Sequence, residues 1–287
     1  MARINRVVEL LAQGQPVYTA SVAEPSLQGG LDAAASWADY LTIDLEHHPF
    51  EPVALRHFMR GLVDGGPTRS GHRTPAVVVT LPTSGVDEQV VRANGWMVKQ
   101  ALAAGVHGLL LCHAETPGAA RAFVEASRYP FHPVADGLGG GRRGSGGQKL
   151  AAEIWGVSPV EYLERADIWP LNPEGELVLG LKIENRRALE NAEASAAVPG
   201  LAFAEWGPGD MGMCFGHKDA HDPPYSPEMV AARARVKAAC DQAGLAFLEM
   251  VRPDNVIEQL DDGVKIGAAT AEAAETGRRH TKRALPW

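Results

Sequence analysis

Cysteine is scarce in this chain. Cys112, Cys214 and Cys240 are three among 287 residues, odd in number, far apart and without a C-x-x-C pair. A disulfide framework is excluded, no zinc or redox motif is present, and free thiols in a reducing compartment are expected. Long apolar runs are missing too: nothing approaches the ~18 residues of a membrane span. The opening segment MARINRVVELLAQGQ is amphipathic and lacks the unbroken apolar stretch of a signal peptide. The expectation is a cytoplasmic protein with no membrane partner. Basic charge is in deficit, with 27 Lys and Arg against 35 Asp and Glu and a net charge of −8. Such a surface repels phosphate backbones, so no nucleic-acid partner is expected. The basic tail Arg278–Arg283 reads as a solvated terminus.

What the chain does have is core material: 45% of its residues are apolar and 22% charged. This suffices for one barrel-sized domain without disulfide or metal staples. Short β-rich apolar runs alternate with segments of helical spacing, the pattern of parallel βαβ units. Strands are expected at 17–22, 40–44, 76–81, 108–112, 177–184, 201–206, 246–251 and 263–268. Helices are expected at 3–13, 52–63, 95–104, 116–127, 159–166, 185–194 and 227–243. Eight such units predict an α/β protein, a (β/α)8 TIM barrel in one domain over 1–287, with insertions at about 82–94 and 131–173. Loops after barrel strands lie on the catalytic face, so both insertions read as candidates for a lid or substrate wall.

Polar residues gather where these strands end. The second runs into Asp44-Leu45-Glu46-His47-His48, the fifth into Lys182-Ile183-Glu184, and the sixth into Trp206-Gly207-Pro208-Gly209-Asp210-Met211. One acid at a strand end is as readily the cap of the next helix; three on one rim point to a site. Glu184 and Asp210, on consecutive strands, would offer two hard oxygen ligands with open positions, a set suited to Mg²⁺ or Mn²⁺. His47 is the candidate proton shuttle, with Asp44 three residues back to orient it; a surface histidine is the alternative, and the better reading of His48. Lys182, in phase with Glu184 by the period of two, would neutralise the metal site, bind a substrate carboxylate, form a Schiff base, or simply pair with Glu184. The segment Gly137–Gln148, with Arg142 and Arg143 among glycines, is either an anion cradle or a flexible loop. Trp155, Tyr162 and Trp169 form an aromatic wall or pack the insertion.

These residues, with Leu102–Gly108 and Ala126-Ser127-Arg128-Tyr129-Pro130, make the chain similar to the HpcH/HpaI aldolase family from about Gln13 to Ala268. Its members are metal-dependent, pyruvate-class aldolases of the phosphoenolpyruvate/pyruvate barrel superfamily. The resemblance implies an aldolase acting on a 4-hydroxy-2-oxo acid to give a 2-oxo acid and an aldehyde through a metal-stabilised enolate. It implies Glu184 and Asp210 as ligands of a divalent metal, Mg²⁺ first and Mn²⁺ or Co²⁺ next. His47 would be the base, Asp44 its partner, and the Gly209-Asp210 turn the receiver of the substrate carboxylate. A homo-oligomer, trimer or hexamer, with an exchanged C-terminal helix is implied as well. The alternatives kept open are another reaction on the same scaffold (decarboxylation, hydrolysis of an oxaloacetyl-like bond, or citrate-lyase-like cleavage) and a non-catalytic organic-acid-binding barrel.

The chain departs from the family in three places. Thr80 stands at the end of the third strand where an arginine is usual, and Thr80 carries no fixed charge. Arg92, beyond the insertion that follows, is the candidate to fill that vacancy. Lys182 replaces a common glutamine, and Ser21 stands near the place of a strand-one tryptophan. Because the family has an Arg-Gly segment near its site, Arg143 or Arg142 is a substrate-binding candidate.

Overall fold

The computed structural model describes residues 2–286. The strands are β1 (Val17–Val22), β2 (Tyr40–Asp44), β3 (Ala76–Leu81), β4 (Gly108–Leu111), β5 (Ile168–Trp169), β6 (Leu177–Ile183), β7 (Phe203–Trp206), β8 (Ala246–Met250) and β9 (Ile266–Ala268). All pairings are parallel. The order β4-β3-β2-β1-β9-β8-β7-β6 is closed by β4 against β6, giving an eight-stranded barrel. β5, which the sequence did not announce, is a two-residue strand that pairs with β6 at Ile168–Leu177, ahead of the stretch of β6 covered by β7. Among the described residues no helix is long and apolar enough to cross a membrane.

Strand alternation divides the core in two. Val17, Tyr40, Val78, Leu110, Val178, Phe203, Leu248 and Ile266 point inward and fill the barrel, while Val7, Val8 and Leu10 of the helix Arg6–Ala12 plug its lower end. The alternate residues pack against the surrounding helices. Towards the other end the inward positions turn polar: Thr19, whose hydroxyl lies 2.8 Å from that of Thr42, then Thr80, Lys182 and Glu205. An apolar floor therefore carries a polar mouth.

The helices Leu27–Ala33 and Pro52–Asp64 meet backbone to backbone. A Cβ on Gly30 would lie 2.2 Å from the Phe58 carbonyl, and one on Gly61 would lie 2.2 Å from that of Leu27. Small residues are what allow the approach.

The insertion over 131–173 does not form a lid. The helix Pro117–Ser127 has already returned the chain from the mouth to the lower face before the insertion begins. From there it folds against the lower half of the barrel: Trp155 stacks on His107 (centroids 5.6 Å apart) and donates its indole N–H to the Gly105 carbonyl, and the Tyr162 hydroxyl donates to the Leu102 carbonyl. Arg128 clamps Asp167 through two bonds of 2.7 and 2.8 Å. The aromatic residues are packing, not a substrate wall. The C-terminal helix Ala271–His280 lies on its own barrel, with Arg278 over the Tyr18 ring and Arg283 bonded to Asp39.

Candidate active site

The β2 end and its loop form one half of the site. Asp44 Oδ2 lies 2.8 Å from His47 Nδ1, while Oδ1 accepts the Glu46 N–H (2.8 Å), the His47 N–H (3.2 Å) and the Thr80 hydroxyl (2.9 Å). Thr80 in turn accepts the Leu45 N–H at 3.0 Å. Thr80, expected to bind substrate, thus spends its one donor in fastening the aspartate. Burial would raise the Asp44 carboxyl, but these bonds, that with His47 first, outweigh it and hold it at about 2. The same bond raises the exposed His47 imidazole above its ordinary value, against a smaller lowering by burial. A histidine with Nδ1 tied to a carboxylate presents Nε2 as its working nitrogen.

The other half is acidic. Glu184, fully buried past the end of β6, accepts the His113 N–H at Oε1 (2.8 Å), and its Oε2 lies 3.1 Å from Lys182 Nζ without a well-directed hydrogen bond. Gly207 begins the helix Pro208–Phe215 and puts Asp210 in its first turn. Donor atoms of His113, Glu184 and Asp210 fall within 4.8 Å of one another. Lys182 Nζ also lies 3.4 Å from Glu46 Oε2, and Glu205 is its neighbour across the β6–β7 ladder. Burial pushes the Glu184 carboxyl up, with Lys182 opposing, and pushes Glu205 up to about 7. Burial would lower the Lys182 ammonium, but Glu205, Glu184 and Glu46 more than reverse it, so Lys182 stays charged. A charged amine paired with two carboxylates is no nucleophile, which favours the charge-stabilising role of Lys182 over a Schiff base.

Five carboxyls (Asp44, Glu46, Glu184, Glu205, Asp210) share the mouth with one ammonium. A divalent cation fits this donor set: Glu184 has a buried oxygen without a hydrogen bond, donor atoms of Asp210 and His113 lie within 4.8 Å of a Glu184 oxygen, and carboxyls outnumber the ammonium.

The structure brings Asp44, His47, Thr80, Lys182, Glu184, Gly209 and Asp210 to the same rim. It does not bring Arg92 or Arg143 there. Arg92 sits in the outer helical layer, 2.7 Å from Glu88 and 2.8 Å from the buried Glu125. Arg143, itself buried, lies over the Tyr129 ring at 4.2 Å and donates to the Tyr162 hydroxyl at 2.9 Å. Both belong to helix and insertion packing, so the cation of the mouth is Lys182. Sequence reasoning assigned no role to Glu46, Glu205 or His113. Glu46 lay inside a motif read for its two outer members, and Glu205 showed itself as a charge at an inward position of a strand. His113 carried no signal, since its place depends on a left-handed backbone (φ 47°) that local sequence does not announce.

Comparison with known proteins agrees with this layout. A hydroxypyruvate/pyruvate aldolase of Paraburkholderia phytofirmans is 29% identical over 222 residues, 76% of this chain and 74% of that one. A 2-keto-3-deoxy-L-rhamnonate aldolase of Klebsiella pneumoniae is 28% identical, covering 83% and 77%. The crystal structure of a family protein from Burkholderia cenocepacia superimposes with a TM-score of 0.73 at 25% identity over 98% of both chains. The signature of HpcH/HpaI aldolase/citrate lyase matches residues 30–275, and the chain belongs to that family.

Proposed function

We propose that this protein is a divalent-cation-dependent aldolase that cleaves a 4-hydroxy-2-oxo acid to a pyruvate-type 2-oxo acid and an aldehyde, and runs the reverse addition. What supports it most is a single juxtaposition: a carboxylate-fixed imidazole stands on the same barrel rim as two convergent carboxylates and one ammonium.

Glu184 and Asp210 would hold the cation, with His113 beside them, and their hard oxygens favour Mg²⁺. When bound, it supplies Lewis-acid polarisation of the 2-oxo group. The chain's own residues do the rest. The N–H groups of Gly209 and Asp210, in the first turn of the helix Pro208–Phe215, receive the substrate carboxylate. Lys182 offers a fixed positive charge to the oxygen that becomes negative as the enolate forms. His47 Nε2 removes the proton of the 4-hydroxyl as the C3–C4 bond breaks; the aldehyde leaves, and the pair of electrons left on C3 takes up a proton to give the 2-oxo acid. Asp44, held by Thr80, keeps the imidazole in the required tautomer.

Exchange of the C3 protons of pyruvate in deuterated water, followed by NMR, tests the reading. Exchange is expected with Mg²⁺, lost on chelation, restored by Mg²⁺ or Mn²⁺, and absent in Glu184→Gln. Exchange that survives exhaustive chelation would overturn it.

A further inference from the structure

The Glu46 carboxylate lies between the two halves of the mouth. Its backbone N–H is fixed on Asp44 Oδ1 at 2.8 Å. From there Oε2 reaches to 3.4 Å from Lys182 Nζ and 3.9 Å from His47 Nδ1, and Oε1 to 3.4 Å from His113 Nε2. The reaction as derived gives this acid no task, since Asp44 orients His47 while Glu184 and Asp210 hold the cation.

Lys182 has two carboxylates within reach. Nζ donates a hydrogen bond to Glu46 at 3.4 Å and stands 3.1 Å from Glu184 Oε2, closer but without a well-directed bond. The other Glu184 oxygen, Oε1, accepts the His113 N–H at 2.8 Å. The oxygen left to a cation is therefore the one that the ammonium faces. Two positive charges in contact at a buried oxygen repel strongly, so an ammonium that stays there weakens the site. The Lys182 side chain is only 12% exposed, and an ammonium expelled with no partner would be a buried, unpaired charge. Glu46 offers the way out, because the amine is already bonded to it. Donor atoms of Glu46, Cys112 and Glu184 also fall within 4.8 Å of one another. A cation held by Glu46 as well as Glu184 would take from Lys182 both carboxylates that pair with it, which favours Glu46 as partner of the amine and not as a ligand.

We propose that Glu46 is a positioning residue that takes Lys182 from Glu184 when the divalent cation arrives. The exchange frees the ligand oxygen and keeps the ammonium beside the oxygen that becomes negative. The proposal rests on the aldolase reading and adds what lets a cation and an ammonium share one mouth.

Glu46→Asp is the informative variant, because it preserves the charge of the site and withdraws the carboxylate from Lys182 by one methylene. Mn²⁺ affinity is measured by calorimetric titration, without substrate, in the wild type, Glu46→Asp, Lys182→Met and the double variant. Glu46→Asp is expected to weaken binding about tenfold. Lys182→Met should bind equally or more tightly, and the double variant should match Lys182→Met within about twofold. Rescue of the shortened acid by loss of the amine is a result that general damage to the mouth does not give. Unchanged affinity in Glu46→Asp would overturn the proposal. So would an equal loss with and without Lys182, which would make Glu46 a ligand in its own right. The expected pattern without pyruvate exchange would instead sink the aldolase reading and leave the role of Glu46 standing. Mn²⁺ binding that Glu184→Gln leaves unaltered would sink both.

Discussion

A Cβ atom on Gly207 would stand 2.3 Å from Oε2 of Glu184. The carboxylate fills space that any other residue at this position would claim, so the first residue of the β7 loop sets the orientation of the β6 acid. Gly207→Ala is expected to weaken divalent-cation affinity about 10–100-fold, the range seen when support around a metal ligand is lost, with the thermal transition little changed. Calorimetric titration with Mn²⁺ checks this; unchanged affinity would show that Glu184 is not held by that contact.

Among the described residues Lys182 is the one ammonium beside the carboxyls of the mouth. Lys182→Met should lower kcat/KM for the 2-oxo acid by about 10²–10³-fold, the scale of losing one group that stabilises an oxyanion. Lys182→Arg should recover part of it. Borohydride added with pyruvate should leave the protein mass unaltered, because an amine held protonated forms no imine. A reduced adduct on Lys182 would contradict this account.

The Asp44–His47 pair fixes the sign of a pH effect. His47 works as a base only when neutral, and its pKa is raised by Asp44, so activity should fall as pH drops through a value above the ordinary histidine value. Asp44→Asn should move that acid limb to lower pH while lowering the plateau rate. A limb that stays in place in Asp44→Asn would remove His47 from the base role.

Stability should respond elsewhere. Asp39 is buried, accepts the Tyr18 N–H at 2.9 Å and pairs with Arg283 and Arg278. Asp39→Ala leaves the buried Arg283 without the carboxylate that holds it and should cost about 3–5 kcal/mol, measured by urea unfolding. Cation affinity of the folded fraction should be unaffected.

The strands were legible because they are continuous apolar runs: 17–22, 40–44 and 76–81 match to the residue, as does the Ser226-capped helix Pro227–Ala243. The helix Leu27–Ala33 was not, since two glycines weaken its local propensity and its packing against Gly61 is tertiary. The face taken by the insertion is not legible from the strand before it, because the helix Pro117–Ser127 first returns the chain to the lower end. In the site, Asp44 with His47 and Glu184 with Asp210 could be read from strand ends alone. Arg92 and Arg143 could not, because where an arginine reaches depends on which buried acid or aromatic ring it finds, here Glu125 and Tyr129.

The tie between Arg283 and Asp39 closes the chain at the lower end, the width of the barrel away from the rim where Thr80 and Lys182 sit. Cohesion is invested at one pole and reactivity at the other. Exchange of a guanidinium on one stave for an ammonium on another is then a change the scaffold can absorb, and the upper rim is free to be rewritten for new substrates while the foundation stays shut.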